Sequence, residues 1–268
     1  IVACALFIEN MDWTVISTSL PAIADDLQTD PIALKLALTT YMLALAVFIP
    51  ISGWVADRFG ARPTFMSAIG VFLLGSVACA ASVSLETMVA ARFLQGMGGA
   101  LMVPVGRLVL LRTVPKSELV QALSWLTIPA LIGPVVGPPL GGFITTYFDW
   151  RWIFLINLPI GLLGSALAKR FIPDIREVAV PLDWVGFLLT GLGLALAMFG
   201  FSTMGRHLVS APLSLGALVF GVVALIAYAW HARRHPHPLL DLGLFRLATY
   251  RAGVLGGSLF RIGPSCCR

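Results

Sequence analysis

Apolar residues in this chain come in long unbroken runs, each close to the roughly 20 residues a helix needs to cross a hydrocarbon layer. The pattern predicts membrane-spanning helices near Ile1–Leu20, Leu36–Val55, Phe65–Val83, Met88–Leu111, Leu119–Thr145, Ile153–Phe171, Trp184–Met204 and Leu213–Trp230. A ninth run starts near Tyr250 and is cut short by Arg261 and the ending Gly263-Pro264-Ser265-Cys266-Cys267-Arg268. Helices are the expected form because every backbone polar group in lipid must be satisfied within its own segment. The first run carries Glu9 and Asp12 at its centre and no basic leading segment, so it reads as a span and not as a secretory signal. Because Ile1 opens inside an apolar run, the chain is expected to be a fragment at both ends and unable to transport by itself.

Composition fits this picture. Hydrophobic residues make up 58 % and charged residues 12 %, against roughly 25 % charged in soluble domains, and the mean hydropathy is +0.92. The basic residues give an orientation. With a cytoplasmic N-terminus, Arg58, Arg62, Arg107, Arg112, Lys116, Lys169, Arg170, Arg176, Arg233, Arg234, Arg246 and Arg251 lie inside, and only Lys35, Arg151 and Arg206 lie outside. The net charge of +5 therefore reads as topology, and no basic cluster with interleaved aromatics points to nucleic acid. Trp150, Trp152 and Trp230 fall where interface anchors belong. Cys4 and Cys79 sit inside spans as small packing residues, and neither a disulfide nor a metal site is expected. His207, His231, His235 and His237 fall in loops or helix ends, with His235-Pro236-His237-Pro238 reading as a stiff cytoplasmic linker and metal binding as the lesser alternative. No nucleophile–base constellation or phosphate-cradling loop is visible, so an enzyme or ATP-driven pump is not expected.

Three further segments carry chemistry. The short turn Gly53-Trp54-Val55-Ala56-Asp57-Arg58-Phe59-Gly60-Ala61-Arg62 sets an acid beside two bases, with Gly60 suited to positive φ. In the fourth span, Arg92-Phe93-Leu94-Gln95-Gly96-Met97-Gly98-Gly99-Ala100 places Arg92, Gly96 and Ala100 on one helix face, leaving space beside a guanidinium. Arg92 either has a partner within the protein or snorkels to the outer interface. In the fifth span, Gly133-Pro134-Val135-Val136-Gly137-Pro138-Pro139-Leu140-Gly141-Gly142 sets glycines at four-residue spacing beside helix-breaking prolines, which favour a kink. These could serve a rocking hinge or simple close packing.

The three segments resemble the G-x-x-x-D-R-x-G-R-(K/R) loop, the R-x-x-Q-G-x-G-A segment and the G-P-x-x-G-G antiporter motif of the major facilitator superfamily, with Ala61 standing where Arg is frequent. Asp12-Trp13-Thr14-Val15-Ile16-Ser17-Thr18-Ser19-Leu20-Pro21 and Trp150-Arg151-Trp152-Ile153-Phe154-Leu155-Ile156-Asn157-Leu158-Pro159-Ile160-Gly161 are similar to sequences of its fourteen-span drug:proton antiporters, as is Pro238-Leu239-Leu240-Asp241-Leu242-Gly243-Leu244-Phe245-Arg246. The resemblance implies an all-α membrane protein: a six-helix N-terminal bundle over residues 1–172, a cytoplasmic loop and two additional helices over 173–234, and a linker with the truncated start of a C-terminal bundle over 235–268.

It also implies proton-driven export of amphipathic, often cationic drugs across the bacterial inner membrane, with no cofactor. Lipid, a drug-like substrate and protons would be the partners, with a periplasmic adaptor and an outer-membrane channel as further candidates. Asp12 lies nine residues before Pro21, about 13 Å below the outer boundary, where desolvation penalises a bare carboxylate. The implied coupling site is Asp12 with Glu9, Arg92 and Gln95; proton and cationic substrate would compete for the acid. Asp12 could instead merely bond hydroxyls of its own span. Gly53, Asp57, Arg58, Gly60, Arg62, Gly133, Pro134, Gly137, Pro138, Gly141 and Gly142 are the implied conformational positions. A dedicated exporter of one metabolite or antibiotic, and a membrane scaffold or receptor without transport, are the competing readings.

Overall fold

The computed structural model describes residues 2–177, 180–204 and 210–266. Ile1, Arg206, His207, Cys267 and Arg268, which enter the sequence reading, lie outside the described residues. The elements are helical throughout the described residues: α1 Val2–Asp26, α2 Pro31–Phe48, α3 Ser52–Phe59, α4 Ala61–Ala80, α5 Leu85–Thr113, α6 Leu119–Tyr147, α7 Trp152–Leu155, α8 Asn157–Phe171, α9 Trp184–Thr203, α10 Ala211–Ala232 and α11 Ala248–Cys266.

Seven described segments are long and apolar enough to cross a membrane: Pro31–Phe59, Ala61–Ala80, Leu85–Thr113, Leu119–Tyr147, Trp152–Phe171, Trp184–Thr203 and Ala211–Ala232. They match seven of the eight complete spans expected. The eighth, α1, has the length, with 25 residues, but Glu9, Asn10, Asp12 and the terminal Asp25-Asp26 dilute its apolar character. Protein covers it instead: α1 packs chiefly on α6 and also touches α2, α5, α7 and α8. A polar helix is tolerated at membrane depth when its polar face meets other helices.

Local chemistry sets the boundaries. Asp30 caps α2, accepting from the Ile32 amide at 2.7 Å, with Pro31 in the first helical turn. Ser84 and Thr87 form a reciprocal capping box that starts α5. Gly60, at φ +98°, separates α3 from α4. Asp183 caps α9 through the Gly186 amide at 2.8 Å. Burial works against its charged form, but that amide and His231 together hold the carboxyl below its ordinary range.

Two apolar clusters fill the six-helix bundle. One surrounds Leu6, Phe65, Phe72, Val105 and Ala168; the other surrounds Val15, Ile23, Met88, Ile144 and Phe154. Between them lies a thin polar layer. The α9–α10 pair leans on the bundle through α2, and the Trp54 indole donates to the Val180 carbonyl at 2.8 Å.

Trp150 departs from its expected role. It is buried, not lipid-facing; its indole donates to Asp26 at 3.0 Å and Arg151 lies 4.5 Å over its ring. The α1 terminus needed a partner for its acids, and Trp150 and Arg151 supply it. Trp152 and Trp230 are exposed, as an interface position requires.

Candidate functional site

Four helices contribute to the polar layer: Asp12 from α1, Ser76 from α4, Arg92 and Gln95 from α5, and Asn157 from the start of α8. Arg92 and Gln95 are three residues apart and so share a helix face. Arg92 Nη1 donates to Asp12 Oδ2 at 2.6 Å and to Gln95 Oε1 at 2.5 Å. Gln95 Nε2 donates to Asp12 Oδ1 at 3.0 Å and to Ser76 Oγ at 2.9 Å. Asn157 Nδ2 reaches the same two oxygens, at 3.1 and 3.0 Å. Asp12 and Arg92 are each 1 % exposed, so Arg92 does not snorkel to the interface, and Asp12 bonds Arg92, Gln95 and Asn157, whereas the hydroxyls of its own helix donate to backbone carbonyls.

The network is tight around the acid and loose around the base. Arg92 Nε and Nη2, Asn157 Oδ1 and the Tyr41 hydroxyl have no hydrogen-bond partner among the described residues, while the guanidinium lies 4.3 Å from the centroid of the Tyr41 ring. A desolvated cation on an aromatic face gains about 2 kcal/mol. The small residues expected beside Arg92 act through the backbone: a Cβ on Gly96 would lie 2.7 Å from the Tyr41 carbonyl oxygen. That close approach of α5 to α2 is what lays the guanidinium on Tyr41.

Glu9 is elsewhere. It lines a separate cavity of ≈ 260 Å³ with Asn10, Trp13, Tyr41, Met42 and Arg107. Trp13 and Met42 also line an adjoining cavity of ≈ 880 Å³ beside Lys35, Met198 and Phe201. The competition of a cationic substrate for Asp12 thus meets a closed ion pair in this conformation, whereas Glu9 is the acid with access to a cavity.

The conformational motifs occupy two other places. At the end of the bundle holding the α3–α4 turn, Asp57 pairs with Arg112 at 2.8 Å, and Arg112 reaches Glu177 at 3.2 Å. The Ala61 amide donates to the Ile175 carbonyl at 3.0 Å, so the segment after α8 crosses the turn directly over Gly60. A Cβ there would collide with Asp174 and Arg176. Among the described residues, Gly53, Arg58 and Arg62 take no part in the ion pairs of this junction; Gly53 and Arg58 are exposed and Arg62 is half-buried.

The glycine stripe of α6 lies flat on α1. A Cβ on Gly133 would lie 3.1 Å from the Phe7 carbonyl, one on Gly137 would overlap the Thr14 hydroxyl, and one on Gly141 would lie 2.9 Å from the Val15 carbonyl. Gly142 faces open space. Pro134 and Pro138 point outward, and α6 continues helical through them from Leu119 to Tyr147. The ladder is not ended there because α1 supports the opposite face. One helix, α1, therefore carries Asp12 toward α5 and a backbone surface toward α6.

Sequence reasoning missed Asn157, Ser76, Tyr41 and Arg112 as members of these sites. Asn157 was legible as a lone amide inside an apolar run, within the Trp150–Gly161 motif. The others carry no signal of their own, since a serine, tyrosine or terminal arginine is ordinary at such positions.

The family model of the Major Facilitator Superfamily matches residues 2–261. The chain is 41 % identical over 265 residues to the "Probable transport protein HsrA" of Haemophilus influenzae, covering 99 % of this chain and 57 % of that one. It is 42 % identical over 266 residues to the "Putative multidrug resistance protein MdtD" of Serratia proteamaculans, covering 98 % and 55 %. The chain thus spans little more than half the length of these relatives. Among solved structures, the POT family transporter PepTSo superposes with a TM-score of 0.60 at 17 % identity, covering 90 % of this chain and 55 % of that one. The human organic anion transporter MFSD10 gives 0.55 at 15 %, covering 88 % and 72 %. These two likenesses speak for the fold, and the family match and curated relatives for kinship: the chain is a multi-pass membrane protein that belongs to the Major Facilitator Superfamily.

Proposed function

We propose that this chain forms the N-terminal half of a proton-coupled antiporter that exports amphipathic, often cationic compounds across the bacterial inner membrane. The carrying observation is the buried Asp12–Arg92 pair at 2.6 Å on a helix that also rests on the bare backbone of the α6 glycines. Its N-terminus is cytoplasmic in this reading, because the basic residues gather at the end where Asp57 meets Arg112.

Two acids divide the work. A proton on Asp12 removes the countercharge of Arg92 in a site of low dielectric, where an unpaired charge is costly. The pair must then separate or the guanidinium must find another partner, and either outcome shifts α1 against α5. The stripe at Gly133, Gly137 and Gly141 leaves no side chains of α6 in the path of that shift, so α1 meets only backbone there. Glu9, one helical turn from Asp12 and lining the cavity with Trp13, Met42 and Arg107, is the contact for a cationic, partly aromatic substrate. Alternating access then follows from two bundles rocking around the site.

The test uses the full reading frame reconstituted in liposomes under an imposed pH gradient. Asp12→Asn, fixed in a neutral form, is expected to abolish gradient-driven efflux while inserting normally, and Asp12→Glu to retain part of it. Gradient-driven efflux at the parental rate by the Asn variant would place coupling elsewhere. Glu9→Gln is expected to weaken cationic substrates more than neutral ones; equal loss of both would remove Glu9 from the substrate site.

A further inference from the structure

Away from this site, where the start of α9 meets the end of α10, one carboxylate and two imidazoles converge. Asp183 Oδ1 lies 2.9 Å from His231 Nε2, and the rings of His231 and His235 are 5.1 Å apart between centroids and tilted by 31°. One ligand atom from each of the three residues falls within 4.8 Å of the others. Sequence spacing does not reveal the group, because Asp183 is 48 positions from His231; the pairing of α9 with α10 brings them together.

The framework around the group is built. His231 lies in the last turn of α10, and the His235 amide donates to the His231 carbonyl at 3.0 Å. The two histidines therefore keep a helical i, i+4 relation, the spacing at which paired histidines bind zinc. Asp183 is 5 % exposed and anchored by the Gly186 amide through Oδ1, yet its Oδ2 has no hydrogen-bond partner among the described residues. Beyond the histidines, Tyr228 holds the returning chain: its hydroxyl accepts from the Leu240 amide at 2.7 Å and donates to the Leu240 carbonyl at 3.0 Å. Arg234, the nearest cation in sequence, is drawn aside, with its guanidinium 3.7 Å from the Trp230 ring centroid.

We propose that Asp183, His231 and His235 form a binding site for one divalent transition ion of the Zn²⁺ class. Ligand bonds of about 2.0–2.2 Å in a tetrahedron put donor atoms a little over 3 Å apart. The Asp183–His231 contact needs only to open slightly, and His235, past the end of α10, needs to swing in. Two imidazoles and a carboxylate suit Zn²⁺, Co²⁺ or Ni²⁺ and not Mg²⁺ or Ca²⁺, which take oxygen ligands. Water would complete the shell. The ion would tie the start of α9 to the end of α10 and hold the two additional helices as a unit.

The experiment titrates Zn²⁺ into the metal-stripped 268-residue chain in detergent by calorimetry, with Co²⁺ absorption as a report of coordination geometry. One Zn²⁺ per chain and a rise in melting temperature on saturation are expected. His231→Gln and His235→Gln should each weaken binding by more than the roughly 10- to 100-fold typical of losing an outer-shell partner. Asp183→Asn, which retains the helix cap, should weaken it too, and His237→Gln should leave it unchanged. His235 lies past the end of α10 and is only half-buried, so the parental melting temperature of metal-free His235→Gln serves as the control for folding. Absence of saturable Zn²⁺ binding by the parent, or undiminished binding by His235→Gln, would reduce the group to an Asp–His ion pair capping α9 and overturn the proposal.

Discussion

The Asp12–Arg92 pair makes a sharp energetic prediction. Replacing Arg92 by Met removes the cation bonded to Asp12 and leaves the carboxylate, 1 % exposed, to the Gln95 and Asn157 amides among the described residues. Breaking a buried pair from one side costs about 3–5 kcal/mol, because the remaining charge is uncompensated. Asp12→Asn should cost less. Arg92 then keeps Gln95 Oε1 and the Tyr41 face, and the cation–π contact alone offsets about 2 kcal/mol. The double variant Asp12→Asn/Arg92→Met leaves no buried charge, so its loss should fall well short of the sum of the two single losses. The assay is reversible unfolding of the chain in mixed micelles by a denaturing detergent, read by Trp fluorescence for all four proteins of the cycle. Additive losses, or an Arg92→Met variant as stable as its parent, would show that the pair is not coupled as the geometry requires.

Three other outcomes follow from the same structure. Gly137→Leu places a side chain where Thr14 already stands, so it should slow transport by the full reading frame far more than it weakens substrate binding; transport at the parental rate would refute the sliding role of the stripe. Gly60→Ala forces a side chain into φ +98° and against Asp174 and Arg176, and should destabilise the chain by about 1–3 kcal/mol in the same unfolding assay; no loss would mean that the segment after α8 does not pack over the turn. Reporter fusions at Ala61–Thr64 and near His235 should be cytoplasmic and fusions near Ser84 external, and external labelling at His235 would overturn the proposed orientation.

Apolar run length by itself determined the spans and most of their extents, though not the breaks that set off the short α3 and α7, because a helix in lipid must satisfy its own backbone and needs about 20 apolar residues to cross. Boundaries were less legible: α2 begins at Pro31, ahead of the expected Leu36, since the Asp30 cap and Pro31 start the helix on the far side of Lys35. Motif spacing located Asp12, Arg92 and Gln95, because a charge or amide inside an apolar run stands out against a uniform background. It did not separate Asp12 from Glu9. The two acids are three residues apart in sequence, yet α1 turns one into a sealed ion pair and the other toward a cavity, and only the packing of α2 and α5 around α1 decides which is which. Trp150 likewise reads as a lipid-interface residue until α1 ends beside it and presents Asp26. The Asp57–Arg112 pair spans 55 residues and the Asp12–Asn157 bond spans 145. Such pairings depend on which helices become neighbours, and in a sequence where nearly every helix is apolar all round, hydropathy carries no record of who its neighbours are.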